Sequence, residues 1–251
     1  MEMMKNKENL ITADEAHKIL REILPQLIIK FGLYEMFTKN PDKAIEKLKS
    51  ILASTKGRYL SEKNIIIICD FPSERRKLLS FMRKNQNIDK DLKLMFLLQA
   101  VALFENMVNT HLQIELFLNY DFTIKEINNI LYKLKMEDKL GWFLKIICGK
   151  DFTKSKKWKL IDDNLKARNF FIHYKPETGE KYDIYLKYLE IPSIEKFLEH
   201  SLYCYNYLKK VRSEKFKDFD RKIKTTIRIL DERHEAIKKS SMLKVNKTEK
   251  Q

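Results

Sequence analysis

Residues Ile88–Tyr120 read IDKDLKLMFLLQAVALFENMVNTHLQIELFLNY. Their spacing predicts one helix of about nine turns at 3.6 residues each. The centre of this helix is apolar nearly all the way round, so it needs cover on more than one side. A single acid, Glu105, interrupts that apolar centre. A helix of this kind implies a bundle around it, and the rest of the chain supplies candidates.

Apolar residues recur at spacings of three and four almost everywhere, and only five Gly and five Pro occur in 251 residues. Both features predict an all-α protein. Residues 13–37 carry a helical stripe of Ala16, Ile19, Leu20, Ile23, Leu27 and Phe31, with Pro25 as a kink or split. NPDKAIEKLKSILAST follows as a helix with Asn40 as N-cap and Pro41 in its first position. NIIIIC (64–69) is read as a short buried helix, although periodicity alone does not separate it from a buried strand. PSERRKLLSFMRKN is a helix with a basic face.

Beyond the long helix, TIKEINNILYKLKM, LGWFLKIICG, TKSKKWKLIDDNLKARNFFIHY and PSIEKFLEHSLYCYNYLKKVR are expected to be helical. Tyr182, Tyr185 and Tyr188 lie between the last two and are read mainly as packing residues. A charged helix runs from Ser213 to about Lys239, followed by a frayed tail. The expected organisation is an N-terminal helical region (1–87), a helical bundle (88–212) and a C-terminal charged helix with its tail (213–251).

The formal net charge is +15 and the pI about 9.5. This suits a polyanionic partner, nucleic acid first. MEMMKNKENL has no apolar core, so no secretory signal is expected, and no apolar stretch is long enough to span a bilayer. Cys69, Cys148 and Cys204 are read as buried free thiols of a cytoplasmic protein. No CxxC, HExxH or paired Cys/His spacing occurs, so neither a structural zinc nor a cofactor is expected. Glycine-rich phosphate loops and the GxSxG nucleophile elbow are also missing.

One helix departs from its own pattern. In NLKARNFFIHYKP (164–176) and the residues just before it, Trp158, Ile161, Leu165, Arg168 and Ile172 form one stripe, and Arg168 stands where an apolar residue belongs. Buried without a partner, its charge would cost several kcal/mol, so it must snorkel, pair with an acid, or line a cleft or interface. Asn169 and His173 are four apart and share a face. Pro176 disfavours helix at Lys175, which leaves His173 in the last turn. Of the other histidines, His17, His200 and His234 are expected in solvent and His111 as a satisfied core residue. SERRKLL and KVRSEKFKDFDRKIK are read as solvated basic faces that add diffuse attraction for phosphate.

The arrangement RNFFIH, after a long apolar helix with Glu105 in its apolar centre, resembles the HEPN superfamily of all-α bundles. There an Arg, a polar residue and a His stand near the end of a core helix. The resemblance covers roughly residues 88–212 and leaves 1–87 and the C-terminal helix outside it. It implies a metal-independent endoribonuclease, or a non-catalytic relative that binds RNA, nucleotide or a partner protein. It also implies a homodimer with a composite site, and a setting in phage defence or as a toxin with an antitoxin partner. The residues implied are Arg168, Asn169 and His173, with Glu105 as the acid that holds Arg168. One toxin branch carries a Tyr two residues after the His. Here Tyr174 follows directly and Lys175 holds that second place.

Overall fold

The computed structural model describes Arg21, Ile28 and residues 32–54, 70–85, 88–120, 122–173 and 179–248. Among the described residues every regular element is helical, as the periodicity requires. The chain divides into two compact units: Ile68–Phe216, and Met1–Ile67 together with Lys217–Gln251. This division assigns PSERRKLLSFMRKN to the larger unit and joins the N-terminal region with most of the last helix.

In the smaller unit, α1 (Tyr34–Lys39) and α2 (Pro41–Ser54) are joined at Asn40. The Asn40 side chain accepts from Lys43 N at 3.2 Å, as its N-cap role predicts. The stripe expected to run on to residue 37 is broken at Gly32, whose φ of +67° is the left-handed geometry glycine takes without strain. Ile28, Leu33, Phe37, Ala44 and Leu230 form the core here. Ion pairs Arg21–Asp231 and Arg233–Asp42 lie at its surface.

The larger unit contains α3 (Phe71–Lys84), α4 (Lys90–Asn119), α5 (Ile124–Lys133) and one-turn α6 (Met136–Asp138). A segment kinked at Gly141, Lys139–Phe143, leads into α7 (Leu144–Cys148), then α8 (Trp158–Ile172), α9 (Gly179–Leu186) and α10 (Ile191–Val211). Helix α11 (Glu214–Thr248) contributes only its start to this unit. Asp70, Asp89 and Thr123 cap α3, α4 and α5 through side-chain oxygens that accept N–H groups of the first turn.

Helix α4 is the axis of the larger unit and packs against α3, α5, α7, α8 and α10. From Met107 to Leu116 its buried residues point in nearly every direction: Met107, Val108, Thr110, His111, Leu112, Ile114, Glu115 and Leu116. Phe104 meets Phe197 of α10 edge to face, with ring centroids 5.7 Å apart. Tyr182 and Tyr185 pack on Phe170 of α8, as their reading as packing residues expects.

Three expectations are corrected. Helix α11 continues to Thr248, so most of the tail expected to fray is helical. Residues 153–157 form turns, and α8 begins only at Trp158. His200, expected in solvent, is 8% exposed, because its spacing of three from Phe197 and four from Cys204 puts it on the apolar stripe of α10. The segment NIIIIC, His17, Cys69 and nearly all of the 13–31 stripe lie outside the described residues.

Phe104 is fully buried, so Phe104→Ala should cost about 3–5 kcal/mol of unfolding free energy in a urea melt. His200 gives a pH test. Burial, reinforced by Lys157 and Lys196 and opposed by Glu199, lowers its pKa below the usual value. A folded state that resists a proton the unfolded chain accepts loses stability as pH falls below about 6.5. Melts between pH 7 and 5 should therefore show a shallower loss for His200→Gln than for the wild type.

Candidate active site

Arg168 does not snorkel. Its Nη2 donates to Glu105 Oε1 of α4 in a short, part-buried ion pair, with side chains 22% and 33% exposed. The odd charge on the α8 stripe and the odd acid in the centre of α4 thus answer each other. One turn before Arg168, Asn164 is fully buried and donates its amide to Leu160 O at 2.8 Å. Asn164 Oδ1 and Arg168 Nε have no hydrogen-bond partner. An acceptor and a donor therefore lie unsatisfied one helical turn apart, which buried polar groups rarely do without an external ligand or water.

The structure adds two residues to this cluster. Asn109 follows Glu105 by one turn, and its Oδ1 accepts from Lys139 Nζ at 2.8 Å. Lys139 is only 7% exposed. Burial lowers its pKa, and the Glu105 carboxylate works against that shift. It reaches this position from the segment that kinks at Gly141, which leaves helical geometry at φ −92° and ψ −110°. Phe152 N bonds back to Leu140 O at 2.9 Å beside the kink. A Cβ on residue 141 would lie 3.3 Å from Thr153 Cγ2, so glycine suits the crowding there. In the sequence only Gly141 marks the place, and nothing indicates that Lys139 is buried.

Asn169 and His173 stand on the other side of α8, and both are exposed. His173 is the C-cap residue, and its N–H donates to Asn169 O at 3.0 Å. The five-residue step from Arg168 to His173 corresponds to about 7.5 Å along the axis and about 140° around it. The four residues singled out in the sequence therefore fall into an inner pair, Glu105 and Arg168, and an outer pair, Asn169 and His173. Arg168 keeps donors to spare, since a guanidinium has five N–H donors and its side chain remains about one-fifth exposed.

No protein-family model, curated protein or solved structure matches the chain. The basic run of α3 lines a shallow groove of about 520 Å³ with Arg75, Arg76, Leu79, Ser80, Arg83 and Lys84. Arg75 is engaged by Leu198 O and Arg83 by Glu195. Among the described residues no helix is long and apolar enough to cross a membrane.

Glu105→Gln leaves the part-buried Arg168 without its counter-ion and should lower stability by about 1–3 kcal/mol. Residual exposure of both groups screens the pair. A double-mutant cycle with Arg168→Gln should give a coupling of about 1 kcal/mol in chemical denaturation.

Proposed function

We propose that the chain is a metal-independent endoribonuclease of HEPN type, acting as a homodimer with one composite site. The observation that carries this reading is the placement of the RNFFIH residues. Arg168 is positioned by Glu105, while Asn169 and His173 face solvent together at the end of α8. An anchored cation and an exposed imidazole on one helix are groups that phosphodiester transesterification uses.

In this reaction a base removes the 2′-OH proton and the 2′-oxygen bonds to the adjacent phosphorus. The bond from phosphorus to the 5′-oxygen breaks, and that oxygen takes up a proton. The products are a 2′,3′-cyclic phosphate and a 5′-OH. His173 serves as base or acid, Arg168 holds the scissile phosphate and stabilises the charge that builds on it, and Asn169 orients His173 or the phosphate. A single imidazole does not supply both proton transfers at once. A second copy across a two-fold axis brings the second His173, since a residue near such an axis meets its own equivalent. The net charge and the α3 face favour RNA electrostatically.

The Arg168–Glu105 pair also suits a second reading, a non-catalytic helical module that binds RNA, nucleotide or a partner protein. In that case the arginine serves the bundle alone. Incubation of the dimer with a mixed RNA pool separates the two. His173→Ala should lower the cleavage rate by at least about 100-fold with unchanged helicity, and Arg168→Ala should lower both rate and stability. Cleavage should continue in EDTA so long as circular dichroism shows that EDTA leaves the fold intact, and products should carry 2′,3′-cyclic ends. A His173→Ala protein as fast as the wild type would eliminate the nuclease reading. Growth arrest on expression of the wild type, absent with His173→Ala, is expected if the chain acts as a toxin or defence effector.

A further inference from the structure

A second polar cluster lies further along α4, outside the RNFFIH site. His111 and Glu115 are one turn apart, and Cys148 ends α7 opposite them. One donor atom from each (an imidazole nitrogen, a carboxylate oxygen and Sγ) lies within 4.8 Å of the others. His111 is 5% exposed and Glu115 fully buried. His111 Nε2, which faces Glu115 Oε1 at 4.0 Å, has no hydrogen-bond partner. A buried imidazole nitrogen without a partner, aimed at a carboxylate and a thiol, is a donor awaiting an acceptor of electron pairs. Glu115 is already held in place, because Oε1 accepts from Ser213 N and Oε2 from Asn119 Nδ2, each at 2.8 Å. Such outer bonds orient a ligating carboxylate and leave lone pairs for a metal.

We propose that His111, Glu115 and Cys148 form a structural site for one borderline transition-metal dication, zinc first, that pins α7 to α4. The donor set decides the class. A thiolate with an imidazole and a carboxylate selects zinc and its neighbours over magnesium or calcium, which prefer oxygen alone. Binding replaces the thiol proton, so each metal bound releases one H⁺ and forms one metal–sulfur bond. Bonds of about 2.0–2.3 Å in a tetrahedron set donor atoms roughly 3.5 Å apart, so atoms now up to 4.8 Å apart must draw together by up to about 1.3 Å. Cys148 has room for this, being only partly buried and followed by Gly149 in the left-handed region. Arg212 stands near His111 and opposes a cation. The carboxylate and thiolate together outweigh that single charge. Three protein donors leave the fourth position of the tetrahedron to water.

The test uses the full chain, stripped with chelator and titrated with Co²⁺. The expected result is one cobalt per chain, with tetrahedral d–d bands and a thiolate-to-cobalt charge-transfer band, all displaced by Zn²⁺. Cys148→Ser should abolish the charge-transfer band, whereas Cys69→Ser and Cys204→Ser should keep it. His111→Ala should weaken binding at least about ten-fold. A zinc-edge absorption spectrum of the wild type, which needs no variant to fold, should fit one sulfur and otherwise nitrogen and oxygen. The proposal is overturned by a ligand shell without sulfur, by a band that follows Cys69 or Cys204, or by no stoichiometric binding. None of these readouts depends on RNA cleavage.

Discussion

The stretch of α4 from Met107 to Leu116, covered on nearly every side, sets the terms for the larger unit. Helix α4 takes its cover from α3, α5, α7, α8 and α10. Such cover leaves few cheap places for a charge. Of the two central acids, Glu115 is held by the Ser213 amide and Asn119, and Glu105 needs a cation from a neighbouring helix. Arg168 supplies it from the stripe of α8, and the pair ties the choice of packing partner to the position of the candidate site. Had α8 been rotated by a quarter-turn, Glu105 and Arg168 would each be left part-buried without a counter-ion, an arrangement about 1–3 kcal/mol less stable.

The parts of this that are legible in the sequence are those that are periodic or local. Helix content, the long buried axis, the Asn40–Pro41 start of α2 and the end of α8 at His173 are all readable from spacing and from proline and cap chemistry within a few residues. Arg168 is legible as an anomaly because it breaks a stripe, and Glu105 because it breaks an apolar run. The features that escape are those whose partners are far apart in the chain. Lys139 meets Asn109, thirty residues earlier, and Cys148 meets His111 and Glu115. Spacing rules for metal sites read short intervals and pass over such a trio. His200 escapes for a different reason. Its sequence neighbours Glu199 and Lys196 are polar, and local polarity masks the three-and-four spacing that buries it.

The two polar clusters occupy separate stretches of one helix. Glu105 and Asn109 point to Arg168 and Lys139, whereas His111 and Glu115 point to Cys148 and the Ser213 amide. Along the axis they are separated by about one to two turns. The first cluster is part-exposed at Arg168 and Glu105. The second is closed by apolar neighbours, the Phe216 ring among them at 5.2 Å from that of His111. Position relative to solvent gives each its character: the outer suits transient binding and the inner suits a permanent ligand.

The kink at Gly141 has a consequence for how a short stretch of chain serves the long helix. Gly141 leaves helical geometry between Lys139 and α7, so the backbone changes direction there. Lys139 stands before the kink and reaches Asn109 of α4. Cys148 stands after it, at the end of α7, and lies by His111 and Glu115, also of α4. Straightening the kink would carry one of these side chains away from α4. One backbone angle thus lets ten residues address two separate places on a single partner.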